Sequence, residues 1–157
     1  MAVVGFNFTS ITASRDAAMS GKVTINNNVS ILEMSESNVN LGNTQKALKV
    51  DFSYKTDYLA EKKVGNIDIL GNLLYLLDEK KATETLEAWK KSRKVDQSIM
   101  LQIINTTLNK CNIQALMIAD TVGLPAPLKL PQAKIKEPEI TATPISNENK
   151  SNKKAKK

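Results

Sequence analysis

Leu48-Lys49-Val50-Asp51-Phe52-Ser53-Tyr54-Lys55-Thr56-Asp57-Tyr58 decides the fold class. In an extended chain, Leu48, Val50, Phe52, Tyr54 and Tyr58 fall on one side, and Lys49, Asp51, Ser53, Lys55 and Asp57 on the other. Side chains alternate across a strand with period two, so this is a strand with one buried and one wet face. Half-wet strands belong to antiparallel sheets, because parallel strands are covered on both sides and read as unbroken apolar runs.

Downstream, a short loop from Ala60 to Gly65 leads into Asn66 to Asp78, which makes the two strands a hairpin. This second strand carries Ile67, Ile69, Leu73, Tyr75 and Leu77 on one side, and Leu70, Leu74 and Leu76 on the other. Both of its faces call for cover. Upstream, Val4 to Ile11 reads as a first strand with apolar residues at 4, 6 and 8, and Ser14 to Gly21 as a connection. Lys22 to Asn40 reads as a strand with Val23, Ile25, Val29 and Ile31 on one side. A bulge or bend is expected at Asn26-Asn27-Asn28, because asparagine tolerates left-handed angles. Leu41-Gly42-Asn43-Thr44 has turn chemistry.

Helical periodicity takes over after residue 80. Thr83 to Lys94 predicts a short helix with Leu86 and Trp89 inward, its C-terminal cations matching the helix dipole. A second helix opens at the cap residue Asp96 and stops at Gly123, with Pro125 beyond. That is a span of about 40 Å at 1.5 Å per residue. Met100, Ile104, Leu108, Cys111, Ala115, Ile118 and Val122 form its apolar stripe, widened by Ile99, Ile103, Ile113 and Leu116. Leu124-Pro125-Ala126-Pro127-Leu128-Lys129-Leu130-Pro131 cannot continue a helix and should lie extended against the surface. The reading is thus an α+β domain over residues 1–131, with a four-stranded antiparallel sheet followed by a short and a long C-terminal helix. Residues 132–157 read as a disordered basic tail.

Composition narrows the function. The chain has 157 residues and no histidine, so the usual general base and the commonest metal ligand are missing. Its single cysteine, Cys111, forms no intramolecular disulfide, sits within the helical stripe and reads as a buried structural thiol. Glu33 with Glu36, and Asp51 with Asp57, are acidic pairs better read as solvated than as catalytic. No glycine-rich phosphate loop and no zinc spacing exist. The expectation is a protein that is not an enzyme, without metal or cofactor. Met1 to Thr9 lacks the features of a signal peptide and no run approaches a membrane span, so a cytoplasmic location is expected.

Charge is unevenly placed. Residues 1–132 hold 15 Lys+Arg against 13 Asp+Glu, and residues 133–157 hold 7 against 3, so most of the net +6 is in the tail. Lys150, Lys153, Lys154, Lys156 and Lys157 are candidates for RNA or ribosome contact, or serve only to solubilise the chain. No aromatic residue interleaves them for base stacking. The apolar surplus on the last strand and the long helix points instead to a homo-oligomer interface, a groove for extended apolar segments, or both.

Val50-Asp51-Phe52-Ser53-Tyr54, Gly71-Asn72-Leu73-Leu74-Tyr75, Cys111-Asn112-Ile113-Gln114-Ala115-Leu116 and the apolar coda from Leu124 to Pro131 occur in this element order. Together they resemble the SecB export-chaperone family, and more closely SecB-like proteins of archaea, over roughly residues 2–131. The resemblance implies an ATP-independent holdase, a dimer or tetramer, that binds extended apolar segments of unfolded or secretory clients along grooves between sheet and helices. It makes Leu70, Leu74, Leu76 and Trp89 candidates for lining such a groove. Ile103, Leu108, Ile113 and Leu116 are the candidates for an oligomer interface. Bacterial members are acidic and dock onto a translocation motor; this chain ends in lysines. A general, ribosome-proximal or toxin–antitoxin-associated chaperone therefore stays open.

Overall fold

The computed structural model describes residues 2–16, 18–40 and 44–129. The predicted tail, and the turn residues Leu41, Gly42 and Asn43, lie outside them. Four strands, β1 (Ala2–Arg15), β2 (Thr24–Asn40), β3 (Gln45–Leu59) and β4 (Lys63–Asp78), precede α1 (Glu79–Ser92) and α2 (Gln97–Val122). The sheet is antiparallel with spatial order β1-β4-β3-β2. The β2–β3–β4 meander has β1 returned to the far side of β4, a Greek-key order.

Register makes the faces explicit. Val50 pairs with Leu73, Phe52 with Gly71, Tyr54 with Ile69 and Thr56 with Ile67 across β3 and β4. All eight are buried, and they form the floor of the face that carries the helices. Gly71 is obligatory there. A Cβ at that position would sit 2.3 Å from the carbonyl oxygen of Asn7 and 2.6 Å from the Phe52 ring. Phe6 on β1 stacks on Phe52 with centroids 5.0 Å apart.

Three tyrosine hydroxyls bolt the second layer to this floor. Tyr75 donates to Gln102 Oε1 and Tyr54 to Asn112 Oδ1, both on α2, and Tyr58 donates to the carbonyl of Pro125 beyond it. The buried stripe of α2 is Ile99, Ile103, Thr107, Cys111, Ala115 and Ala119. It thins from isoleucine to alanine, so the C-terminal half of the helix can approach the sheet closely where Tyr54 and Tyr58 fill the space.

Three local expectations are corrected. Val4 is half exposed, because a bulge between Val3 and Gly5 resets the phase of β1 and turns Val3, Phe6 and Phe8 inward. The asparagine run holds regular register, Asn26 to Asp57, Asn27 to Thr56 and Asn28 to Lys55; the register shifts in β2 fall instead between Ile31 and Glu33 and between Glu36 and Asn40. Asparagine's tolerance of a bend did not decide here, since Asn27 is held by a side-chain bond from Thr56. α1 starts four residues earlier than expected, directly from β4, and ends at Arg93 in a left-handed conformation with φ 56°. Bulges in both edge strands, β1 and β2, twist the open edges away from uncontrolled pairing.

Candidate functional site

Alternation along β4 places Leu70, Leu74 and Leu76 on the sheet face opposite the helices. Leu70 lies between Ser10 and Ser53, Leu74 between Gly5 and Lys49, and Leu76 between Ala2 and Ala47. No described element packs over them: both helices lie on the other face, whose side chains make up the buried core. Leu70 keeps 39% of its surface exposed, and Leu74 and Leu76 are half-buried. Leu74 leans over Gly5, where a Cβ would lie 3.2 Å from its Cδ1. The result is a leucine strip over residues 70–76, about 20 Å at the rise of a strand, interrupted by Asn72 on the same face. Asn7 and the Lys49–Asp51 ion pair border it.

Trp89, the fourth groove candidate, is not brought to this strip. It is 4% exposed, within the core on the helix face. Its indole N–H donates to Glu33 Oε1 at 2.9 Å. The Arg93 guanidinium stands 4.9 Å over the ring, donates to the carbonyl of Leu32 at 2.8 Å, and pairs with Glu33 Oε2 at 3.4 Å. These bonds fasten α1 to the bulge of β2 and offset the left-handed backbone of Arg93. The Glu33 carboxyl is lowered, first by the indole hydrogen bond, then by the Met34 backbone N–H.

The interface candidates divide along α2. Ile103 is 1% exposed and belongs to the core, Leu108 and Leu116 are half-buried, and Ile113 is 62% exposed. Met117, one turn on from Ile113, is 61% exposed and joins it in an apolar patch the sequence reading did not single out. A shallow cleft of about 700 Å³ opens between the β1 edge at Val3, Val4, Gly5 and Phe6 and the polar flank of α2 at Gln102, Asn105, Thr106, Asn109 and Lys110. No feature of the sequence announced it, because it depends on the Val4 bulge.

Cys111 is fully buried, and burial pushes its thiol up to about 12, far from the reactive thiolate. Among the described residues no three His, Cys, Asp or Glu side chains cluster as a metal site, and no helix is long and apolar enough to cross a membrane. The tail lysines Lys150, Lys153, Lys154, Lys156 and Lys157 lie outside the described residues.

Comparison with known proteins agrees with this architecture. No family model and no curated protein matches the chain. Among solved structures, the SecB-like chaperone of Mycobacterium tuberculosis, in complex with a ChAD peptide from the HigA1 antitoxin, matches with a TM-score of 0.53. The alignment covers 84% of this chain and 88% of that one at 13% sequence identity. At that identity the likeness is one of fold. The chain has the SecB-like fold, a four-stranded antiparallel sheet followed by two helices.

Proposed function

We propose that this chain is an ATP-independent holdase-type chaperone that binds extended apolar segments of unfolded or secretory proteins, acts without catalysis and assembles into a dimer or tetramer in the cytoplasm. The observation that carries the reading is the uncovered strip of Leu70, Leu74 and Leu76, in a sheet whose other face is already occupied by helices. Covering a leucine contributes roughly 1.5–3 kcal/mol. A lone chain forgoes that gain, whereas an extended client laid along the strip supplies it. The fold shared with a peptide-bound chaperone supports the same reading. For assembly, Ile113 with Met117 supplies the exposed apolar surface, and Leu108 and Leu116 flank it.

The test is suppression of aggregation of a chemically unfolded protein, without nucleotide, by the full chain and by a chain lacking residues 133–157. Equal suppression by both is expected, and no suppression by either overturns the reading. A solution mass equal to one chain removes the oligomer. The excess charge of residues 133–157 supports one competing reading, contact with RNA or the ribosome. RNA binding that falls steeply with salt and vanishes on deleting that segment would favour it.

A further inference from the structure

The peptide bonds that follow α2 are held by a cradle with more specificity than packing needs. Gly123 turns the chain out of the helix with φ 70°, and its carbonyl accepts from Arg15 Nη1 at 3.2 Å. Leu124 is then buried above Gly65, where a Cβ would stand 2.9 Å from Leu124 Cδ2. Next, Tyr58 donates to the carbonyl of Pro125 and Asn27 Nδ2 to the carbonyl of Pro127, each at 2.8 Å. Thr56 donates to Asn27 Oδ1 at 2.8 Å, which fixes the amide so that its NH2 points at the peptide.

The two donors lie two residues apart along the sheet, because Asn27 pairs with Thr56, and Thr56 and Tyr58 share a face of β3. Asn27 on β2 and Tyr58 on β3 thus stand one strand apart and two residues along the sheet, and from there their side chains reach alternate carbonyls of the strap, those of Pro127 and Pro125. Only carbonyls are read, so a segment whose prolines lack N–H groups loses nothing there. Tyr58 is buried and its phenol is pushed up to about 12, so it stays protonated and able to donate across the physiological range.

We infer that Tyr58, Asn27 and the pocket over Gly65 form a binding site for extended, apolar, proline-bearing peptide segments, filled in cis by residues 124–128 and open to an external segment when that strap leaves. The inference extends the peptide-holding role proposed above to a second site and names its ligand class. The site itself stands on contacts within this chain.

A labelled peptide Leu-Pro-Ala-Pro-Leu-Lys-Leu-Pro is the probe. In the full wild-type chain the tethered strap competes at roughly millimolar effective concentration, so the probe binds weakly. Leu124→Asp in the full chain is expected to raise probe affinity at least tenfold, and so is Pro127→Asp. Adding Asn27→Ala and Tyr58→Phe to either is expected to cancel the gain. A folded strap variant that gains nothing overturns the site, and so does a gain that survives loss of both donors, which would show only a sticky surface. A wild-type measurement covers the case in which the strap variants fail to fold. Millimolar probe should shift the Leu124 methyl resonances from buried to exposed positions, and unchanged resonances overturn the site. Aggregation suppression is read separately. A chain that holds clients without binding probe overturns the cradle alone, and one that binds probe without holding clients overturns the holdase alone.

Discussion

The two faces of this sheet are built from the same strands, by the same alternation, and have opposite fates. On the helix face, Val50, Phe52, Tyr54, Ile67, Ile69 and Leu73 are sealed, and the tyrosine hydroxyls find partners in the layer above. On the other face, Leu70, Leu74 and Leu76 stand among Ser10, Asn72, Ser53 and Lys49, with no layer over them. Stability resides in the first face; the proposed function assigns the second to a client.

The largest expected effects test the sealed face. Phe52→Ala removes a ring in contact with Phe6 and packed over Gly71, and should cost about 3–5 kcal/mol in urea unfolding. Gly71→Ala drives a methyl into the Asn7 carbonyl and the same ring, and should cost about 1–3 kcal/mol or more. On the open face Leu70→Asp should cost about 1 kcal/mol, well below Phe52→Ala, since 39% of the Leu70 surface is already exposed. The same change should strongly reduce aggregation suppression. If Leu70→Asp proves as destabilising as Phe52→Ala, the leucine strip is part of the core and the contrast collapses.

Alkaline titration sharpens the contrast further, because all three tyrosines lie on the sealed face. Each is raised above the ordinary tyrosine range, first by burial, and Tyr58 reaches about 12. A phenol whose proton is held more tightly in the fold adds stability that is complete below pH 10. That stability is lost as pH rises from 10 through about 12. Absorbance at 295 nm should therefore show less tyrosinate at pH 10 than three free tyrosines give, and its rise should coincide with unfolding. A tyrosine that titrates near pH 10 in the folded chain would mean the face is open to water.

How much of this contrast was legible depended on whether local chemistry or distant contacts decided each position. The alternation from Leu48 to Tyr58 is a local signal and survives except at Ser53, which is buried on the face read as wet; the cap at Asp96, the stop at Gly123 and the two-faced β4 survive as read. In β1, Phe6 and Phe8 face inward as read and Val4 alone does not, because it is the extra residue of a bulge that no composition marks. Asn27 was misread because the partners that hold it, Thr56 and Pro127, lie 29 and 100 residues away. Trp89 reads as inward on its helix and is buried there, but its place in the core rather than in a groove depends on Glu33, 56 residues away. The strip of leucines was visible as surplus hydrophobicity. The β1–α2 cleft and the peptide cradle were not, since both arise from tertiary placement.

The smallest expected effect concerns the two helices that seal the inner face, which begin differently. α1 follows Asp78, whose side chain caps nothing, whereas Asp96 accepts hydrogen bonds from the Ser98 hydroxyl and from the Ser98 and Ile99 backbone N–H groups at the start of α2. Those bonds hold the Asp96 carboxyl below its ordinary range, with the Ser98 hydroxyl the leading cause. A carboxyl lowered by folding adds stability that is complete above the unfolded carboxylate range and is lost as pH falls through the folded value. Asp96→Ala should lower the melting temperature at pH 7 by a few degrees, while Asp78→Ala should leave it unchanged. Asp96→Asn separates the two parts of the effect. An asparagine amide still caps the first turn but carries no titrating proton, so melting at pH 7 should stay near wild type and the acid-side decline should flatten. If Asp96→Asn loses as much as Asp96→Ala at pH 7, the negative charge at the helix dipole outweighs the hydrogen bonds, and the start of α2 is held electrostatically.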